Sequence, residues 1–239
     1  MVLAARHILF EDDDLLAVDK PAGLVSHGTV DPARDHLVAA LTRLLVERDG
    51  EAGHLTLLHR LDRDTSGVVL LSRRPEHDGP LGEAFAQRRV AKTYLAIVEV
   101  SPGLEFPTCV LDAYLAPGKG PGGRTAVVRA GGRPAVTHVR PLQRHGDLCL
   151  VEARPLTGRA HQIRVHLAHA GFPIVGDALY GGRTADVRRL LLHARQVELA
   201  HPRTAQRLTI AAPPPRAFSS RFPSLRAGQR PTDSEPSGA

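Results

Sequence analysis

The sequence predicts an α+β fold with a largely antiparallel sheet. Short β-branched apolar runs outnumber amphipathic helical stretches along the 239 residues. Runs fit to pair as hairpins recur, and no internal repeat is visible. The length suits one substantial core with a small appendage.

The elements follow in order. Residues 7–19 read as two short strands around the acidic turn Asp12-Asp13-Asp14. Lys20-Pro21-Ala22-Gly23 breaks the pattern into a loop. Residues 34–49 are helical, because Leu37, Ala40, Leu41, Leu44 and Leu45 form one stripe, and Gly50 supplies the stop. Apolar strands at 55–58 and 68–71 flank a polar loop at 59–67. Residues 80–90 form a helix with Leu81, Ala84 and Phe85 inward. Residues 92–100 form a buried strand. The Gly-rich basic loop 116–124 is a hairpin connection into a strand at 125–128, since a phosphate cradle needs a following helix. Residues 147–156 are a strand and 158–170 a helix closed by Gly171. A hairpin joins 190–200 to 206–211. Residues 1–215 thus form the domain, and 216–239, rich in Pro, Ser, Arg and Gly, read as a disordered basic tail.

Hydrophobic residues make up 42% of the chain and charged ones 23%, an ordinary globular balance. The net charge of +6 and pI near 10.0 point to a polyanionic partner, nucleic acid first. Aromatics at 4%, with no Trp, argue against a stacking platform for single strands. Cys109 and Cys149 are the only cysteines and lie far apart, so free thiols in a reducing compartment are expected and a zinc framework is not. No signal peptide and no membrane-spanning run is visible, and a soluble cytoplasmic protein is expected.

Three constellations carry chemistry. His59-Arg60-Leu61-Asp62-Arg63-Asp64-Thr65-Ser66-Gly67 is far richer in polar groups than a turn between strands needs. Guanidinium neighbours keep a carboxylate ionised. Asp64 with Thr65, Ser66 and Gly67 reads as a turn. Asp62 is left either as the chemical carboxylate or as the partner of a nearby arginine. Gly158-Arg159-Ala160-His161-Gln162-Ile163-Arg164-Val165-His166-Leu167, read as the opening of a helix, makes an anion site. A zinc site from His161, His166 and His169 lacks the helical i, i+4 pair and any thiolate. Tyr94, in Lys92-Thr93-Tyr94, is either a core aromatic or a flat face for a base.

Together these segments resemble the RluA family of RNA pseudouridine synthases. The match includes Val18-Asp19-Lys20-Pro21-Ala22-Gly23-Leu24-Val25 with Ser26-His27, His59 to Gly67, Lys92-Thr93-Tyr94, Gly158 to Leu167, Gly176 to Gly181, Leu192-His193-Ala194 and His201-Pro202. They fall in family order over residues 7 to about 211. The resemblance implies a mixed sheet divided by a central catalytic cleft. It implies Asp62 as the catalytic aspartate, Arg164 as its partner, and Tyr94 as the tyrosine that packs on the target base. Arg60 would enter the RNA stack as the uridine leaves, and Ile163 and Leu167 would pack the helix on the core. His59, Thr65, Arg159, His161 and Gln162, within the two long motifs, are assigned to substrate binding. No cofactor and no metal is expected, and the partner is ribosomal or transfer RNA acted on by a monomer. Glu99, Gly28 and the Gly-rich 116–124 loop depart from the family pattern. No RNA-binding S4 module is expected. The rival readings are a non-catalytic RNA-binding protein and a glycosidic hydrolase that releases free base.

Overall fold

The structure is a computed structural model that describes residues 3–28, 35–118, 123–185 and 187–227. Strands β1 (Ile8–Glu11) and β2 (Leu15–Lys20) form the expected first hairpin. Its turn is tied by Asp12 Oδ1, which accepts the backbone N–H of Asp14 at 2.9 Å and of Leu15 at 2.8 Å. The remaining strands are β3 (Thr56–Leu57), β4 (Ser66–Ser72), β5 (Ala91–Glu99), β6 (Cys109–Pro117), β7 (Thr125–Val128), β8 (Arg133–His145), β9 (Leu148–Pro155), β10 (Leu192–Ala200) and β11 (Arg207–Ala211). They make one sheet in the order β1-β2-β4-β10-β5-β9-β8-β6-β7, with β3 also on β4 and β11 also on β10. Strands β4 and β10 run parallel, meeting only at Ser66–His193 and Gly67–Ala194. Every other strand pair among the described residues is antiparallel. That short seam joins the two halves of the sheet. A Cβ on Gly67 would lie 2.2 Å from the Ala194 carbonyl oxygen, and Gly67 has φ +114, so only glycine closes the seam here.

Strand β4 is buried along its whole length, so its sequence is a continuous apolar run rather than an alternation. Val69 and Leu71 pack with Leu16 and Val18 in one core layer, which also holds helix α1 (Leu37–Asp49) and the Ile163 and Leu167 side chains. Val68 and Leu70 join Leu15 and Ala17 in the other layer, with Leu81 of helix α2 (Pro75–Ala86) and Val197 and Ile210. This is the period-two alternation of a strand covered on both faces. Helix α1 ends at Gly50 in the left-handed conformation, as expected.

Four expectations need correction. Helix α2 begins at Pro75, because proline at the first helical turn lacks only a donor that would be unpaired there. Strand β8 is an element that the sequence pattern does not announce. Its two prolines and its many His and Arg residues dilute the apolar alternation, although Ala135, Thr137 and Val139 do point inward. Helix α3 (Gln162–His169) starts four residues later than the pattern suggests, so Gly158 to His161 are loop. His161 there adopts a left-handed backbone, φ 54 and ψ 18, which breaks helical continuity. Finally, the stretch from residue 216 is not disordered throughout. Helix α4 (Arg216–Ser219) and the turn after it bury Phe218 and Phe222 completely. Two phenylalanines one helical turn apart anchor a segment whose average composition is polar. Residues 228–239 of the expected tail lie outside the described residues.

Candidate active site

The polar loop between β3 and β4 is held from below by the 18–27 segment. Lys20 is fully buried, and its Nζ donates to the carbonyls of Pro21 (3.1 Å), Leu24 (2.7 Å) and Arg63 (3.0 Å). Burial pushes this ammonium down to about 8. Ser26 Oγ donates to the Leu61 carbonyl at 2.9 Å and accepts the Leu61 N–H at 3.1 Å. Leu61 and Arg63, on either side of Asp62, are therefore both pinned, and the Thr65 N–H bonds the Asp62 carbonyl at 3.1 Å.

Asp62 faces α3 across the seam. Arg164 gives Nε and Nη2 to the two oxygens of Asp177, each at 2.8 Å, and Nη1 to Asp62 Oδ2 at 3.3 Å. Asp177 is 1% exposed and also accepts the N–H groups of Leu179 and Tyr180. Burial works against the Arg164 charge, but Asp177 first and then Asp62 outweigh it, and the guanidinium is held above its ordinary value. The Tyr180 ring lies under that guanidinium at 5.1 Å, with Arg124 at 5.2 Å. Tyr94, on β5 opposite Ala194, is almost wholly buried, and burial followed by the Asp62 charge raises its phenol.

Asp62, Tyr94, His161 and Arg164 line one cleft of about 780 Å³. Its wall also carries Arg60, Arg63, Arg88, Lys92, Arg154 and Arg159, so an anion meets positive charge around the opening. Arg60 is exposed. Arg159 spends one donor on the Pro134 carbonyl at 3.1 Å, and burial with repulsion from Arg133 and Arg88 lowers it. Thr65 lines the cleft with a buried hydroxyl that has no hydrogen-bond partner among the described residues.

Two residues assigned to substrate binding, His59 and Gln162, both line the cleft and also carry bonds that hold the fold. Gln162 is buried, its Oε1 accepts from Thr157 Oγ1 and the Arg159 N–H, and its Nε2 donates to the Val136 carbonyl and Thr137 Oγ1. Its polar atoms are thus taken up by the loop and β8. His59 Nε2 accepts the Leu70 N–H at 3.1 Å and its ring stacks on Phe85 at 5.0 Å, which fixes the loop to β4. Lys20, Ser26, Asp177 and Tyr180, which stand in the family-matching segments without an assigned role, also belong to the site. Asp177 does leave a signal: an arginine on a helix buried on most sides requires a carboxylate with better geometry than one loop aspartate supplies.

The sequence predicts no metal. Among the described residues one group, Asp12, Asp14 and His201, has ligand-type atoms within 4.8 Å of one another. It lies at the β1–β2 turn, where His201 is paired with Asp12 at 2.9 Å, His77 with Asp14 at 3.1 Å and Arg203 with Asp14 at 2.7 Å. Glu99, a departure from the family pattern, holds Arg183 of the loop after α3.

A mixed sheet with a basic cleft, an aspartate held by a buried arginine and a tyrosine at its wall suit an enzyme that binds a polyanion. Residues 14–169 match the family described as RNA pseudouridylate synthase. An uncharacterised RNA pseudouridine synthase of Zymomonas mobilis is 39% identical over 92% of this chain and 98% of its own length. The ribosomal large subunit pseudouridine synthase D of Xanthomonas campestris is 37% identical over 92% of this chain and 69% of that protein. Human RNA pseudouridylate synthase domain containing 4 superposes with a TM-score of 0.73 at 29% identity, covering 92% of this chain and 93% of that one. The chain belongs to the RNA pseudouridylate synthase family, in the RluA group, and is an isomerase that turns uridine into pseudouridine. No helix among the described residues is long and apolar enough to cross a membrane.

Proposed function

We propose that this enzyme acts as a cytoplasmic monomer on uridines of structured ribosomal or transfer RNA, with Asp62 as its catalytic group. The observation that carries the reading is Asp62 at the wall of a basic cleft. One of its oxygens is held by Arg164, and the other accepts no hydrogen bond from the described residues. Four relatives are named for the ribosomal large subunit, which favours that RNA as the first to test.

A uridine inside folded RNA must leave its stack, at a cost of roughly a few kcal/mol. Exposed Arg60 fills the vacated space, and the other rim arginines bind phosphates. Tyr94 packs on the extruded uracil. Asp62, held by a charge-assisted hydrogen bond from Arg164, acts at the ribose. It attacks the anomeric carbon or removes the 2′ proton, and both routes free the uracil. The ring turns, C5 bonds to C1′, and the C5 proton leaves while N1 gains one. Atoms and electrons balance without a redox partner.

The test is tritium release from large-subunit ribosomal RNA and from transfer RNA carrying label at uracil C5. Release that needs Asp62 supports the reading and selects the RNA. Release by an Asp62→Ala protein at the wild-type rate overturns the assignment.

A further inference from the structure

We propose that His161 is the general base that receives the proton leaving uracil C5. The inference rests on the function proposed above and adds a second catalytic group to it.

The chemistry limits where this base can stand. When C5 has bonded to C1′, it is one bond from the atom Asp62 attacks on the first route and two bonds from C2′, where it works on the second. The base must therefore lie within a few ångström of Asp62. His161 Nε2 is 4.0 Å from Asp62 Oδ1, the oxygen that Arg164 does not hold. The imidazole lines the cleft with 17% of its side chain exposed.

The other groups nearby are less suited. Arg164 is permanently charged and engaged by Asp177 and Asp62. Lys20 Nζ is enclosed by three carbonyls. The Tyr94 phenol is raised by burial and by Asp62, so it stays protonated at neutral pH. Asp62 leaves C1′, or returns its proton to C2′, as the C5–C1′ bond forms; paired with Arg164, it then serves as counter-charge to the imidazolium.

The hydrogen bonds around His161 also assign its tautomer. Tyr180 Oη accepts the Thr125 N–H at 2.8 Å and donates to the Thr125 carbonyl at 3.1 Å. Its remaining lone pair faces His161 Nδ1 at 3.0 Å. Nδ1 then carries the hydrogen, and Nε2 presents a lone pair to the cleft. Around the ring stand Asp62 from the β3–β4 loop, Arg164 from α3, and Asp177 and Tyr180 from the following loop, with the Arg124 guanidinium 5.2 Å from the Tyr180 ring. Burial lowers the imidazole against the pull of Asp62, which keeps it neutral and ready to accept. The imidazolium formed is stabilised by Asp62 beside it. In the balanced step the C5–H bond breaks, its electron pair restores the uracil ring, the proton goes to Nε2, and N1 takes a proton from the imidazolium or from water.

The backbone conformation fits a functional demand. His161 is one of three non-glycine residues with positive φ among the described residues, a conformation kept at a cost.

The test uses large-subunit ribosomal RNA, or transfer RNA if that is the pool that reacts, carrying deuterium or tritium at uracil C5. His161→Asn is chosen because asparagine tolerates the left-handed backbone. It is expected to slow turnover by about 10²-fold or more, with KM for RNA nearly unchanged, the usual size of a lost general base. Proton loss from C5 should then limit the rate, so a primary isotope effect at C5 emerges that the wild type lacks. His161→Gly, which adopts this backbone freely, should regain activity with added imidazole. Wild-type turnover by His161→Asn overturns the proposal. So does a slow variant with neither isotope effect nor rescue, which would make His161 structural. Wild-type enzyme that releases no tritium from either RNA overturns the substrate reading proposed above, and this one with it.

Discussion

Arg164 is held by Asp177 through two hydrogen bonds of 2.8 Å and reaches Asp62 through one of 3.3 Å. The stronger pair is thus the buried one, and the candidate catalytic carboxylate receives only the spare donor. Asp177 positions the guanidinium, and Asp62 keeps an oxygen for chemistry. The two aspartates should respond differently to the same substitution.

Asp62→Asn is expected to abolish turnover while RNA affinity and stability stay near wild type. Arg164 keeps its buried partner in that variant, so no charge is stranded. Filter binding and tritium release on one preparation separate the effects. A variant that loses binding and folding together would contradict this division.

Asp177→Asn leaves the buried guanidinium without its main counter-charge. Breaking one side of such a pair costs about 3–5 kcal/mol. Urea unfolding should show that loss, and activity should fall at temperatures where the variant is still folded. Unchanged stability would mean that Asp62 alone can compensate Arg164.

Acid should destabilise the fold through histidines that the fold holds neutral. Burial holds His59 and His193 down to about 3 and His166 to about 4. The unfolded chain takes up these protons near the ordinary value of 6.5, so stability is present above that pH and is lost as pH falls toward 4. Each such histidine contributes a slope of up to about 1.4 kcal/mol per pH unit in that window. Equilibrium unfolding at several pH values would read it. Flat stability from pH 6.5 to 4 would refute it.

Phe218→Ala and Phe222→Ala should each cost about 3–5 kcal/mol, since both rings are fully buried. Truncation after Pro215 should cost more. A truncated chain with an unchanged melting temperature would show that the segment only rests on the sheet.

Arg60→Ala and Arg159→Ala should weaken RNA binding and lower its salt dependence. Removing a cation that neutralises one phosphate reduces the slope of log affinity against log salt by about one. Slopes measured over a salt series decide it, and unchanged slopes would remove these arginines from the RNA interface.

Much of the fold and site is legible in the sequence, for identifiable reasons. Strand β4 announces itself because both faces are apolar, and α1 because its leucines keep helical spacing. Tyr94 stands out as a polar group in an apolar strand, while Asp62 and Arg164 stand in two long polar motifs whose roles the family resemblance supplies. Strand β8 does not, because prolines and charges at its exposed positions mask an alternation that only a few small residues carry. The contacts that organise the site are hidden for another reason. Lys20 with Arg63, Ser26 with Leu61, and Arg164 with Asp177 are pairs made by the fold, and a single sequence shows which groups exist but not which ones meet. The start of α3 is hidden in a backbone dihedral at His161 that side-chain pattern does not encode.

The seam between β4 and β10 has a consequence for how the chain becomes active. Ser66 and His193, which face each other there, are 127 residues apart along the chain. Closing so distant a contact sacrifices much chain entropy before it returns any stabilisation, and such pairings form slowly. The hairpins on either side can form early, each from local sequence. Asp62 belongs to the half before the seam, and Tyr94 and Arg164 to the half after it. Enzymatic activity should therefore appear in refolding only with the slowest phase, after most secondary structure has already returned.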